Sequence, residues 1–151
     1  TILPKRVGDD LGMSYALDVS GIEFPDAVGG TLWLHDLKTA NGITLPRECR
    51  GSIMLNSLVT AEGLQFPEGV GGSINLHDLK TAYGVVLPNS VVGSAELDSL
   101  PSTEELVLPE IVGGLVVLQS ISEADHEQLV EQRPDLRILY ETRDIFDPEW
   151  E

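Results

Sequence analysis

Hydrophobic positions recur along the chain with a period of 21 residues. Three residues after each repeated Pro stands Val, or once Cys, and nine residues after it stands Leu, or once Met. A period kept without insertion or deletion predicts a stacked repeat, because units too short to bury their own apolar side share one continuous core. The units are marked by six apolar–Pro pairs: Leu3-Pro4, Phe24-Pro25, Leu45-Pro46, Phe66-Pro67, Leu87-Pro88 and Leu108-Pro109.

Each unit contains two L-x-L segments, and this alternation is typical of β-strands. Gly-Gly pairs at 29–30 and 71–72 predict a turn before the first of these segments. Pro has no backbone donor, so we expect it where a strand ends rather than inside a ladder. No unit has a 3.6-residue period long enough for a helix. A second set of glycines predicts a corner with positive φ: Gly21, Gly42, Gly63 and Gly84.

These features predict an all-β protein, a β-solenoid of about five coils of 21 residues, stacked about 4.8 Å apart. Residues 1–121 would form the solenoid. Residues 122–151 would form a C-terminal cap and an acidic tail within the same structural domain.

The cap is predicted to contain one helix and one short strand. The helix begins with Ser120 or Ser122 as its N-cap and stops at Pro134. Residues 136–140 then alternate like a strand. Such a cap covers the open end of the solenoid, whose free edges would otherwise favour aggregation. The apolar face of the helix is expected to comprise Ile121, Leu129 and Val130.

The repeat unit resembles a short repeat of bacterial and phage proteins with the pattern LPxxVGGSLxLxxLxxAxGLxLP. The strongest matches are FPDAVGGTLWLHDLKTANGITLP at 24–46 and FPEGVGGSINLHDLKTAYGVVLP at 66–88, and the resemblance covers roughly residues 3–121. The unit is also similar to bacterial leucine-rich repeats, which makes a leucine-rich-repeat-like horseshoe the alternative fold. Both resemblances imply recognition of other macromolecules, although a fold does not fix a function. Where leucine-rich repeats usually carry Asn, this chain has Leu37, Leu58 and Leu79.

The charge is strongly acidic and unevenly distributed. The net charge is −16, and the first 95 residues carry 6 Lys or Arg and 10 Asp or Glu, whereas the remainder carries 3 and 15. Direct binding to nucleic acid is not expected, because phosphate contacts need a basic face. The acidic end favours solubility. Within it, Phe146 and Trp150 either dock on the solenoid or contact a partner.

The composition gives partial information on the cellular location of the protein. No apolar run approaches the roughly 18 residues of a membrane-spanning helix, and no segment has the pattern of a signal peptide. We therefore expect no membrane partner. Two locations are compatible with the sequence: a soluble protein of the cytoplasm, and a protein delivered into a target cell. The single cysteine excludes an internal disulfide. Because Cys49 falls in a Val position of the repeat, it is predicted to be a small buried hydrophobe.

The residues that look most like an active site are His-Asp pairs in the repeated segment HDLKTA, His35-Asp36 and His77-Asp78. The histidines are two coils apart, about 9.6 Å by strand spacing, whereas zinc ligands lie about 2.0–2.3 Å from the metal. Neighbouring residues of a strand point apart, which argues against a His-Asp dyad. Nucleophile-elbow, phosphate-loop and calcium-repeat motifs are missing. The sequence predicts no enzyme, no catalytic residue, no metal and no cofactor.

The outward positions of the first strand and of the residues after it form the candidate partner-binding face. Aromatic and flexible apolar side chains there are not needed for the core, and such side chains are typical of interfaces. The candidate residues are Trp33, His35, Met54, Asn56, Asn75 and His77.

We therefore predict a non-catalytic repeat module for protein–protein recognition, serving as the targeting part of a larger bacterial effector or phage protein. Its partner would be another protein, with homo-oligomerisation as a further option. One alternative is an acidic DNA mimic that inhibits a nucleic-acid enzyme, which would need two rows of carboxylates along the long axis. A purely structural stalk is the other alternative.

Overall fold

The computed structural model describes residues 4–13, 23–39 and 43–140. These residues form thirteen short strands and one helix. The elements are β1 (Arg6–Val7), β2 (Leu11–Gly12), β3 (Ala27–Val28), β4 (Leu32–Trp33), β5 (Glu48–Cys49), β6 (Ile53–Met54), β7 (Gly69–Val70), β8 (Ile74–Asn75), β9 (Ser90–Val91), β10 (Ala95–Glu96), β11 (Ile111–Val112), β12 (Leu115–Val117), α1 (Glu123–Gln132) and β13 (Arg137–Leu139).

The strands form two parallel sheets that run the length of the molecule. The first has the order β1-β3-β5-β7-β9-β11, and the second has the order β13-β12-β10-β8-β6-β4-β2. Residues 21 apart pair directly, as in Leu32 with Ile53 and Trp33 with Met54. The predicted β-solenoid is confirmed, with about six turns rather than about five. The additional turn arises because the atypical first unit also supplies one strand to each sheet.

Within the unit, one strand lies where it was predicted and the other does not. The first L-x-L forms a strand in every coil, for example Leu32–Trp33. These strands make up the second sheet, whereas the first sheet is built by the Val position, for example Val28. The second L-x-L forms only single bridges, such as Thr44 with Gln65. The prediction of a second strand there was wrong, because Pro follows directly and cannot donate to a ladder.

The corners of the coil follow the glycine pattern. Each Gly-Gly segment lies between the two sheets, and Gly51 N–H donates to Gly30 O at 3.0 Å in the preceding coil. Gly63 and Gly84 have φ of 80° and 68°, which confirms the predicted left-handed corner. In the next coil Glu105 holds the same position with φ 63°. Leu3, Gly21 and Gly42 lie outside the described residues.

The core is a set of aliphatic ladders inside the coil. Full burial of one such side chain contributes about 1.5–3 kcal/mol. Stacking in register therefore supplies most of the stabilisation that a single unit lacks. The largest fully buried side chains are Leu32, Leu34, Leu37, Ile53, Leu55, Leu58, Ile74, Leu76, Leu79, Leu97, Leu100 and Leu118.

A polar ladder, which was not predicted, runs beside this core. Ser73 N–H donates to Ser52 Oγ at 2.9 Å, and Ser94 N–H donates to Ser73 Oγ at 2.9 Å. Thr31 begins the hydroxyl part of the ladder by accepting from Ser52 N–H at 3.3 Å, and Ser94 ends it by accepting from Leu115 N–H at 3.0 Å. Each hydroxyl satisfies a backbone donor of the next coil, so the ladder fixes the register of neighbouring coils.

The predicted helix and strand of the C-terminal cap are confirmed. Ser122 is the N-cap of α1, with its side chain accepting from Asp125 N–H at 3.1 Å. Ser120 does not cap the helix and instead donates to Asp98 O. Leu129 is buried, but Val130 is 41% exposed. The prediction that Val130 belongs to the apolar face was therefore wrong, because that side of the helix faces away from the last coil.

The cap also protects the last coil from unwanted strand pairing. Strand β13 continues the second sheet by pairing in parallel with β12. Beside the first sheet, Arg133 donates through Nη2 to Pro109 O at 2.9 Å and to Glu110 O at 3.0 Å. The last strand of the second sheet is thus paired, and two backbone carbonyls beside the first sheet are hydrogen-bonded, at the C-terminal end of the solenoid.

No helix among the described residues has the length and apolarity that crossing a bilayer requires. Phe146 and Trp150 lie outside the described residues.

Candidate partner-binding face

The structure brings the six candidate residues together on one side of the solenoid, here called the outer face. Strand pairing places Trp33 beside Met54 and Met54 beside Asn75. The other three residues, His35, Asn56 and His77, lie in the turns that follow β4, β6 and β8. His77 is exposed and the other five are half-buried. The contiguity follows from the 21-residue period, because equivalent positions stack.

Trp33 is held in place from two directions. Its Nε1 donates to Asp10 Oδ2 at 3.3 Å, and its ring lies 5.0 Å from the ring of His35 at an angle of 41°. His35 is held in turn by Asn56, with 3.2 Å between Nδ1 and Oδ1. Since an amide oxygen only accepts, His35 Nδ1 carries the hydrogen of this bond. The aromatic pair is therefore fixed by neighbours in the coils on either side.

The second histidine occupies a tight turn. Leu79 N–H donates to Leu76 O at 3.1 Å, so that His77 and Asp78 are the central residues of a β-turn. His77 Nδ1 lies 2.9 Å from Asp78 Oδ1. The expectation that neighbouring His and Asp side chains point apart was wrong here, because that rule applies to a strand and not to a turn.

The two HDLKTA segments differ in their contacts. His35 bonds to Asn56, whereas His77 bonds to Asp78. The identical segment therefore does not build one repeated catalytic pair. What differs is the residue one coil further along, which is Asn56 beside His35 and Asp98 beside His77.

Carboxylates that were not among the candidate residues surround His77. Asp98 Oδ2 lies 4.0 Å from His77 Nε2. Glu96 Oε2 accepts from Asn75 Nδ2 at 2.7 Å. The pKa of His77 is raised above its ordinary value, first by the hydrogen bond to Asp78 and then by the charges of Asp98, Asp78 and Glu96, against an opposing desolvation. The 21-residue register would have identified both additional carboxylates.

The described residues offer little for covalent or metal chemistry. Among residues 4–13, 23–39 and 43–140, no three His, Cys, Asp or Glu side chains are grouped to hold a metal ion. Cys49 is buried, and burial raises the pKa of its thiol. Its Sγ faces backbone carbonyls, including Gly30 O at 3.6 Å. The prediction that Cys49 is a buried hydrophobe is confirmed, and a thiol in this state is a poor nucleophile.

A second apolar surface, which was not predicted, lies outside the outer face. Val86 and Val107 are 73% and 72% exposed, and they occupy equivalent positions in consecutive coils. Val86 lines a groove of about 530 Å³ together with Phe66 and Pro88. The sequence did contain a signal for this surface. Val86 and Val107 each lie in the middle of three consecutive apolar residues, although the outward position of such a segment is expected to be polar.

Comparisons of the chain with protein-family models, with curated proteins and with solved structures found no match.

Proposed function

We propose that this chain is a non-catalytic repeat module that binds another protein through the outer face. The observation that carries the proposal is Trp33, an outward aromatic side chain fixed by Asp10 and His35 on a β-sheet. Aromatic anchors of this kind dominate binding energy at interfaces. An anchor that is already ordered loses little entropy on binding.

The surroundings of Trp33 support the same function. Met54 adds a flexible apolar side chain beside it. Asn56 and Asn75, which bond to His35 and Glu96, form a polar margin. An apolar centre with a polar rim is the usual anatomy of a protein interface. The resemblance of the repeat to bacterial and phage proteins supports a role as the targeting part of a larger effector or phage protein.

The DNA-mimic alternative is less well supported. Beside the outer face, the column containing Asp36 and Asp78 has Ser57 between them, and the two columns of the outer face do not carry carboxylates in consecutive coils. Mimicry of a phosphate backbone would need continuous rows of charge. A structural stalk would need no ordered outward aromatic residue, so that substitution of Trp33 separates it from a binding module.

The test is a quantitative pull-down from bacterial lysate with the wild-type chain and with Trp33→Ala/His35→Ala/Met54→Ala. The matched control, Tyr83→Ala/Val86→Ala/Val107→Ala, also truncates three side chains, on exposed positions outside the outer face. Circular dichroism checks that both variants are folded. We expect the first variant to lose at least one partner that the control retains. Equal recovery of every partner by all three proteins would contradict the proposal.

A further inference from the structure

The outer face lies among carboxylates, and within its described residues the groups that can become cationic are its two histidines, of which His77 lies against Asp78 and Asp98. The two columns of residues that form the outer face continue to Glu96 and Asp98 in the next coil, and the adjoining column contains Asp36 and Asp78. Among the described residues, these three columns contain four carboxylates and no Lys or Arg. Lys38 and Lys80 lie just beyond these columns and are exposed, and neither forms an ion pair with these carboxylates among the described residues. The carboxylates are Asp36, Asp78, Glu96 and Asp98.

The carboxylate of Asp98 is the least satisfied of the four. Its side chain is 17% exposed, and its Oδ1 is buried without a hydrogen-bond partner. A buried carboxylate oxygen without a donor is unfavourable, and because Oδ1 is shielded from solvent, a cation on a partner would stabilise this carboxylate through its charge rather than by a bond to Oδ1. The neighbouring Glu96 directs one oxygen to Asn75. The acidic zone formed by Glu96 and Asp98 therefore presents negative charge to a partner mainly through the half-buried Glu96, whose second carboxylate oxygen is not used by Asn75.

The acidic zone and an apolar zone, formed by Trp33 and Met54, lie along one line. Trp33 and Glu96 occupy equivalent positions three coils apart, which corresponds to about 14 Å at the spacing of hydrogen-bonded strands. An extended peptide advances about 3.4 Å per residue, so that about four residues cover this distance. Met54 lies beside Trp33 and completes the apolar zone.

We propose that the partner presents an extended segment with a large apolar residue over Trp33 and Met54, and with Lys or Arg about four residues away over Glu96 and Asp98. This inference rests on the proposed function and specifies the chemistry of its ligand. Charge complementarity selects a cationic segment over an acidic or neutral one. The apolar zone limits binding to segments that also carry an anchor, which distinguishes this site from general attraction of basic proteins.

The experiment selects binders from a displayed library of random 12-residue peptides on the immobilised wild-type chain. We expect enrichment of Lys or Arg about four residues from a large apolar residue. A selected peptide should bind at least about 10-fold more weakly to Glu96→Gln/Asp98→Asn, since charge-assisted hydrogen bonds are lost. The matched control, Glu62→Gln/Glu104→Gln, removes two exposed carboxylates outside the outer face and should bind normally.

A second measurement does not depend on the folding of any variant. The selected peptide is resynthesised with each Lys or Arg replaced by Gln and titrated against the wild-type chain. A loss of about 10-fold or more supports the inference, and the affinity of the unchanged peptide should fall as salt is added.

The outcomes separate this inference from the proposed function. Peptides that need Trp33 but bind equally well without Glu96, Asp98 or their own cations would overturn the cationic inference and leave the outer face intact. Peptides indifferent to Trp33→Ala would overturn both. Selection of acidic peptides, or of no peptide, would also overturn the inference.

Discussion

Gly51 lies where the backbones of consecutive coils approach each other closely, and replacing it with Ala tests how tightly they stack. A Cβ added there would lie inside van der Waals contact of the Gly30 carbonyl and 2.7 Å from Thr31 N. These neighbours are backbone atoms of the preceding coil, so the clash cannot be relieved by rotating a side chain. Overpacking of this kind costs about 1–3 kcal/mol. The smaller conformational freedom of Ala in the unfolded chain offsets about 0.4–1 kcal/mol of this cost.

We therefore expect Gly51→Ala to lower the free energy of unfolding by about 1–2 kcal/mol and Tm by about 2–8 °C. Urea titration followed by circular dichroism measures the first quantity, and a thermal melt measures the second. Gly12→Ala is the control, because a Cβ at Gly12 would meet nothing within 4 Å. If Gly51→Ala proved as stable as Gly12→Ala, the close stacking of the coils would be refuted.

Three further predictions concern a corner, the polar ladder and the histidine turn. Glu105→Gly should raise the free energy of unfolding by about 0.5–1 kcal/mol in urea titration, because it relieves a left-handed φ of 63° at an exposed residue; no gain would contradict this. Ser73→Ala should lower the same quantity by about 1–3 kcal/mol, because Ser94 N–H loses its acceptor, whereas Ser73→Thr should be close to wild type; equal losses would refute the ladder. His77→Asn should lower the free energy of unfolding more at about pH 5.5 than at about pH 8.5. The raised pKa of His77 means that its protonated form stabilises the fold below the ordinary His pKa of about 6.5, and this stabilisation is lost as the pH rises through the raised pKa. Urea midpoints at both pH values check this, and a larger effect at high pH would contradict it.

The solenoid could be predicted from the sequence because every coil uses the same register. Once residues 21 apart are stacked, the inward position of Leu34 and the outward position of Trp33 follow from alternation alone. The cap helix was predictable for a different reason, since Ser122 and Pro134 are local start and stop signals.

Features that depend on three-dimensional geometry were harder to predict. The sheet at Val28 was missed because Val28 is followed by Gly-Gly and shows no alternation, whereas the equally short strand at Leu32 belongs to an L-x-L segment. The contact of His77 with Asp78 depends on a turn, in which the strand rule does not apply. The hydroxyl ladder through Ser52 and Ser73 looked like ordinary polar variation, although the column of hydroxyls was visible in the repeat.

The central claim is that residues 21 apart stack in register, so that Met54 and Asn75 are neighbours on one continuous face. Disulfide trapping in a Cys49→Val background tests it most directly. Met54→Cys/Asn75→Cys places two Cα atoms about 4.8 Å apart, within the range of a disulfide, whereas Met54→Cys/Glu96→Cys places them about 9.6 Å apart. We predict that mild oxidation removes both thiols of the first variant and leaves both thiols of the second free. Preferential disulfide formation in the second variant would contradict the account.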